Sequence, residues 1–280
     1  MFFLQLRNEL WKLFGKKRTY IGFGMVLLAQ SIIGLVFRFH KGPSRQLIRA
    51  MEGNGYPAEQ YLSYLTVATA MLIPIAYLLL ALYVSLVGGD LVAKEAEEGT
   101  LRMILSRPIS RARLLLLKWL AGVVFSFVLV FALGLFGLLF ARLLFPPGGL
   151  FVFIPWDGIF GVFDGASGWE RYVAAHFFLA IKACTIMSLA FMFSCLDVKP
   201  AAATILAISF VFLSVILQDM PYFRDLRQWF MTYHLNFWGN FFHPVIPWWR
   251  VAESLSILAG FNLTFLVIGC TAFQLRDFKS

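Results

Sequence analysis

Read for apolar and polar positions, the chain resolves into six apolar runs, at 20–37, 66–88, 115–144, 172–195, 201–217 and 251–273. A helix of about 20 residues crosses ~30 Å of hydrocarbon, and each run is near or beyond that length. The third exceeds what a bilayer needs and is expected to continue into the cytoplasm. Ahead of the first run, Leu4, Leu6, Leu10, Trp11, Leu13 and Phe14 alternate with Arg7, Glu9, Lys12 and Lys16 at roughly helical spacing. That spacing predicts a helix over about 3–17 lying in the membrane interface, its basic side towards the phosphates. No A-x-A cleavage pattern follows the first run, only Arg38, His40 and Lys41, so it reads as a retained span. The expected fold class is all-α and integral to the membrane, with six transmembrane helices in a single domain over 1–280.

Composition agrees. Of 280 residues, 60% are hydrophobic and 14% charged, with a mean hydropathy of +0.77. A soluble domain carries about 25% charge, so the surplus apolar surface must face lipid. The net charge of +9 comes from 24 basic and 15 acidic residues scattered between the apolar runs. Without a continuous basic stripe this is a topogenic excess rather than a nucleic-acid footprint. Cys184, Cys195 and Cys270 fall inside apolar stretches without metal or redox spacing and read as small hydrophobes.

An even number of crossings puts both termini on one side. With the termini inside, cytoplasmic segments hold Arg7, Lys12, Lys16, Lys17, Arg18, Lys94, Arg102, Arg107, Arg111, Arg113, Lys118, Lys199, Arg276 and Lys279. The outer segments then hold Arg38, Lys41, Arg45, Arg49, Arg142, Arg171, Arg224, Arg227 and Arg250. The bias favours cytoplasmic termini. Two outer stretches, 145–171 and 218–250, are rich in aromatics, Gly and Pro. They are expected as short helices or loops in the outer interface, serving either as an aromatic belt or as a gate or substrate-contact surface.

The densest charge lies in one connection, 89–114, with Asp90, Lys94, Glu95, Glu97, Glu98, Arg102, Arg107, Arg111 and Arg113. Within it Leu101, Ile104 and Leu105 fall on one helical stripe. Thr100 is placed to cap that short helix after Gly99, Pro108 to stop it, and Ser110 to cap the third span. An apolar stripe there needs a cover, either the chain's own helix ends or a groove on a partner.

The run E-x-E-E-G-T-L-R-x-I-L-S-R-P-I-S-R, from Glu95 to Arg111 and followed by Lys118, resembles the signature loop of ABC-2 type permeases. The ending Ala272-Phe273-Gln274-Leu275-Arg276-Asp277-Phe278 is similar to that family's F-x-x-R-D close, and the basic amphipathic start to its elbow helix. The resemblance implies the membrane subunit of an ATP-binding-cassette exporter in the cell (inner or plasma) membrane. Two separate ATPase subunits would drive it, carrying ATP and Mg, and a second permease, copy or paralogue, would pair with it. The 100–105 segment would then be a coupling helix, with Gly99, Thr100, Leu101, Arg102, Ile104 and Leu105 docking on the ATPase and Glu95 and Glu98 flanking the joint. Asp90 and Lys94 sit earlier and read as solvated.

The chain itself cannot be the motor. A P-loop needs G-x-x-x-x-G-K-[ST], and the one Gly-Lys pair, Gly15-Lys16, is followed by Lys17 with no glycine at the required spacing. No cofactor is expected on this chain. An intramembrane enzyme would need convergent nucleophile, base or metal ligands, and neither H-E-x-x-H nor G-x-S-x-G occurs. A non-transporting membrane component of an ATP-driven envelope complex would share the coupling loop and is the alternative reading. Inside the spans, Lys182 needs a wet cavity, a bundle interior or a carboxylate; Glu253 is a candidate partner, and the two could also line a pathway. His176 reads as interfacial, and Pro74 predicts a bend in the second span.

Overall fold

The computed structural model describes residues 2–105 and 109–276, with side chains for all of these but Lys41, Arg102 and Leu105. Helix α1 (Phe2–Phe14) leads into α2 (Lys17–Phe39), α3 (Lys41–Glu52) and the single turn α4 (Ala58–Tyr61). Next come α5 (Tyr64–Pro74), a π-helical turn (Ile75–Leu79) and α6 (Leu80–Glu97), continuous with one another, and then α7 (Thr100–Leu105). After α8 (Arg111–Leu144) the chain forms an antiparallel hairpin of β1 (Leu150–Ile154) and β2 (Ile159–Phe163), then α9 (Gly165–Cys195) and α10 (Pro200–Asp219). A 3-10 segment (Pro221–Trp229), α11 (Met231–Leu235) and a second 3-10 segment (Phe237–Phe242) precede α12 (Trp248–Leu275).

Six helices among the described residues are long and apolar enough to cross a membrane: Lys17–Phe39, Tyr64–Glu97, Arg111–Leu144, Gly165–Cys195, Pro200–Asp219 and Trp248–Leu275. Each contains one run read from the sequence. At 34 residues, α8 is about 50 Å long, well over the ~30 Å of hydrocarbon, as its length predicted. Helix α9 is the centre of the bundle, packed against α6, α8, α10 and α12, whereas α2, α10 and α12 keep mostly exposed apolar faces.

Close packing rather than aqueous hydrophobic drive must hold such helices together in lipid. At Gly88 a Cβ would lie 2.5 Å from the Met187 carbonyl and 2.9 Å from Ala190 Cβ; at Gly89 it would lie 2.5 Å from Thr204 Oγ1. Two glycines in a row thus let α6 press against α9 on one side and α10 on the other. Hydrogen bonds supplement this. Trp119 Nε1 donates to Ser188 Oγ at 2.8 Å, Ser188 to Asn262 Oδ1 at 2.6 Å, and Asn262 Nδ2 to Thr185 Oγ1 at 2.8 Å, joining α8, α9 and α12.

At Pro74, where the sequence predicts a bend, the helix changes type. The proline lies at the end of α5, and the backbone widens directly after it into the π turn. The hairpin is the element the sequence reading missed. Its two apolar five-residue strands pair from Leu150↔Phe163 to Ile154↔Ile159 around Asp157-Gly158, with Gly158 left-handed at φ 65°. Ser63 Oγ, the N-cap of α5, donates to the Gly149 carbonyl at 2.6 Å, and Thr66 Oγ1 accepts from Phe151 N at 2.9 Å, seating the hairpin on the second span. Hairpin and 221–242 segment together cover one end of the bundle, here the distal end; α1, α7 and the last turn of α12 lie at the basal end.

Candidate functional site

The basal site begins where α6 stops. Glu98 N still donates to Lys94 O, and Gly99 N to Ala96 O, before Gly99 turns left-handed at φ 72°, a conformation glycine takes without a Cβ penalty. Thr100 is the first residue of α7 rather than its cap: its hydroxyl donates back to the Glu95 carbonyl at 3.3 Å, tying α7 to α6. Leu101 is buried in the core and Ile104 packs half-buried against it, while Met103 points outward at 67% exposure. So the stripe that needed a cover finds much of it on the chain's own helix ends. Leu101 anchors α7, and Met103, which spacing did not single out, is exposed. The side chains of Arg102 and Leu105, and all of Arg107 and Pro108, lie outside the described residues.

Behind α7 lies an ion cluster built from three helices. Lys118, on α8 and only 1% exposed, places Nζ 2.9 Å from Glu9 of α1 and 2.7 Å from Glu95 of α6. Lys12 reaches Glu9 at 2.7 Å and Glu95 at 3.5 Å from a half-exposed position. Arg18 pairs with Asp90 at 2.8 Å. Burial works to raise the Glu9 carboxyl, but Lys118 and Lys12 outweigh it and hold it below its ordinary value. Burial likewise works against the Lys12 ammonium, yet Glu9 and Glu95 leave it raised; at Lys16 burial outweighs the pull of Asp90 and Glu95 and lowers it. Asp90 is not solvated: it is 8% exposed and paired with Arg18. Lys94 does stay near solvent, 3.9 Å from the exposed Glu98. Of the residues predicted at this joint, Glu95 belongs to the buried cluster and Glu98 to the surface.

The rest of the motif explains the C-terminal signature. Ser110 caps α8 by accepting from Arg113 N at 3.3 Å. Arg111 Nη1 donates to the carbonyls of Gln274 (3.1 Å) and Arg276 (3.3 Å), which the end of α12 leaves without helical partners. Arg276 in turn pairs with Asp197 and donates to the Leu196 carbonyl at 3.2 Å, and Phe273 is fully buried. Asp277 and Lys279 lie outside the described residues.

Inside the bundle Lys182 is 4% exposed, and its Nζ donates to Asn236 Oδ1 at 3.1 Å and sits 4.8 Å above the Tyr77 ring. Glu253 does not meet it. That carboxylate is exposed on α12 and lines a distal polar cavity of about 300 Å³ instead. The amide and ring come from a 3-10 boundary and a π turn, positions with no periodicity to flag them. His176 is 2% exposed, its ring packed against Gly134 and its Nδ1 2.7 Å from the Tyr172 carbonyl.

Comparison with known proteins bears on the basal site. Residues 21–224 match the family model described as ABC-2 family transporter protein, a span that includes the whole Glu95–Arg111 motif and the first five spanning helices apart from the first four residues of the first. No curated protein matches the chain.

Proposed function

The chain belongs to the ABC-2 transporter family, and from that premise we propose that it is the permease of an exporter whose ATP hydrolysis occurs on separate subunits docking at α7. The observation that carries this is the mounting of α7. Gly99 turns the chain, Leu101 fixes the short helix to the core, and Met103 is presented outward. A short helix that exposes an apolar side chain away from the bundle suits a groove on a partner. The basal end also gathers Arg7, Lys16, Lys17, Arg18, Lys94, Arg113 and Lys199 with the cluster lysines, which supports a cytoplasmic basal face and cytoplasmic termini. Two ATPases would meet there, carrying ATP and Mg. A second permease, copy or paralogue, would meet the exposed apolar faces that α2, α10 and α12 otherwise show to lipid.

The test is Met103→Glu, expressed with the ATPase from the same transporter. We expect membrane insertion and monodisperse purification as for the unaltered chain, with at least about tenfold less ATPase co-purifying, the loss that a buried apolar anchor worth ~1.4 kcal/mol implies. Retention of the ATPase at the original level would refute α7 as the docking element, and Leu143→Glu at the distal end serves as a control for a charge on an exposed leucine.

A further inference from the structure

Two cavities of opposite chemistry flank the hairpin turn Pro155–Asp157 at the distal end. On one side a cavity of about 530 Å³ is walled by Ile33 and Phe37 of α2, Leu47 of α3, Ile73 of α5, and Phe153 and Trp156 of the hairpin. On the other, the cavity of about 300 Å³ is lined by Asp157, Gln228, Asn236, Asn240, Arg250 and Glu253. The turn itself serves both, Pro155 and Trp156 facing the apolar side and Asp157 the polar one.

Tyr77 stands between them. Its ring lines the apolar cavity and lies 6.3 Å from each of the Trp156 and Trp238 rings, and its hydroxyl donates to Asp157. Lys182 Nζ lies behind the same ring and bonds Asn236, a wall of the polar cavity. Tyr77 is carried by the π turn, the one irregular stretch of the second span, and such turns recur at functional sites.

Resting on the transporter reading above, we infer that this pair of cavities is a binding site for an amphiphile, with an apolar chain between α2, α3 and the hairpin, and a polar head of no net charge on the far side of Tyr77. The apolar volume lies in the range of small-molecule pockets, and among the described residues its walls are apolar apart from the Gln46 amide, the Tyr77 edge and the Trp156 indole N–H. The head assignment follows from charge balance. Asp157 and Glu253 are set against Arg250, with Lys182 one residue behind, so neither a cation nor an anion is favoured, while amides from Gln228, Asn236 and Asn240 donate and accept. A hydrogen bond between a phenol and a carboxylate is a barrier that a polar head can replace with its own donors. Tyr77 is thus a positioning residue at the division between chain and head.

The experiment uses the assembled permease and ATPase in nanodiscs, with lysophosphatidylcholine carrying a photoreactive diazirine on its acyl chain. Cross-linked peptides are mapped for the unaltered protein, for Leu47→Trp, which fills the apolar cavity, and for Asn240→Trp, which fills the polar one. Labelling is expected to concentrate on 153–157 and 70–77 and to fall about tenfold in both variants, the change expected for ~1.4 kcal/mol of lost binding. It is also expected to fall when ATP is added. Loss in Leu47→Trp alone would mean that a chain binds without its head, and labelling indifferent to ATP would mean a resident bilayer lipid; either overturns the inference. So does labelling spread evenly over α2, α10 and α12. Co-purification of the ATPase is scored in the same samples. If it is retained while labelling is diffuse, only this inference fails; if it is absent throughout, the transporter reading fails with it.

Discussion

Replacing Lys118 by methionine tests the ion cluster most directly. The ammonium is 1% exposed and lies within 3 Å of two carboxylates that are themselves only 12% and 13% exposed. Removing one partner from a buried ion pair typically costs about 3–5 kcal/mol, because the other charges are left desolvated without compensation. Here Lys12 remains 2.7 Å from Glu9 and 3.5 Å from Glu95, in contact with solvent, so part of the compensation survives. The cost should fall at the low end, ~3 kcal/mol, and should appear first where the cluster holds a peripheral element, which is α1. Amide exchange of α1 in nanodiscs should then quicken by roughly a hundredfold, at 1.4 kcal/mol per factor of ten, while amides in the middle of α9 keep their rates. Adding Glu9→Gln and Glu95→Gln removes the stranded charges and should restore most of the protection, leaving a deficit of about 1 kcal/mol. If Lys118→Met leaves α1 as protected as before, or the triple variant exchanges as fast as the single one, the cluster does not fasten α1.

Two further outcomes follow from the same geometry. Because the Glu9 carboxyl is held below its ordinary 4.5, its contribution to docking is complete above that pH and disappears as pH falls through the lower folded value. A spin label at Phe3→Cys, 83% exposed, should therefore keep one mobility from neutrality down to about pH 4.5 and loosen only below it, whereas loosening between pH 7 and 5 would contradict the assignment. Gly88→Leu must push its side chain into the Met187 carbonyl and should abolish monodisperse protein, while Gly24→Leu, with open space around its Cα, should purify normally. Equal yields from the two would remove the glycine seam from the account.

The six spans were legible because each is long enough to leave no other reading, and the motif from Glu95 to Arg111 was legible because its charges are dense and its glycine is placed. The roles inside that motif were less so. Periodicity put Leu101, Ile104 and Leu105 on one stripe, but a stripe has no sign: it does not say whether the protein or a partner covers it. Leu101 turned out to face the core and Met103 the outside, a division set by how Gly99 aims the helix. Asp90 read as solvated because its partner, Arg18, is 72 residues away at the start of the first span, beyond any local pattern. The role of Lys118 could have been found: one cation about two turns beyond the cap at Ser110, in an otherwise apolar run, demands a buried counter-charge. The hairpin was also available. Two apolar fives around Asp157-Gly158 are a hairpin signal, passed over because aromatic, Gly-rich sequence next to a span was assigned to the membrane interface.

What a push on α7 would move depends on where the second span is stiff. Helix α6 is held from three directions, by the ion cluster through Glu95 and by α9 and α10 through Gly88 and Gly89. With α1 tied in through Glu9 and the base of α8 through Lys118, these elements share their displacement. On the distal side of α6 the regular helix is interrupted, since Pro74 donates no backbone hydrogen bond and the π turn 75–79 follows it. The hairpin beyond is seated on Ser63 and Thr66, at the start of α5. Under the proposed coupling, displacement entering at α7 is therefore carried rigidly through α6 and taken up at the π turn. The residue there with most to lose is Tyr77, whose ring answers to the turn and whose hydroxyl is bonded to the hairpin at Asp157. A stroke need not reshape the distal cavities to open them to each other; shifting the turn that carries Tyr77 against the hairpin is enough.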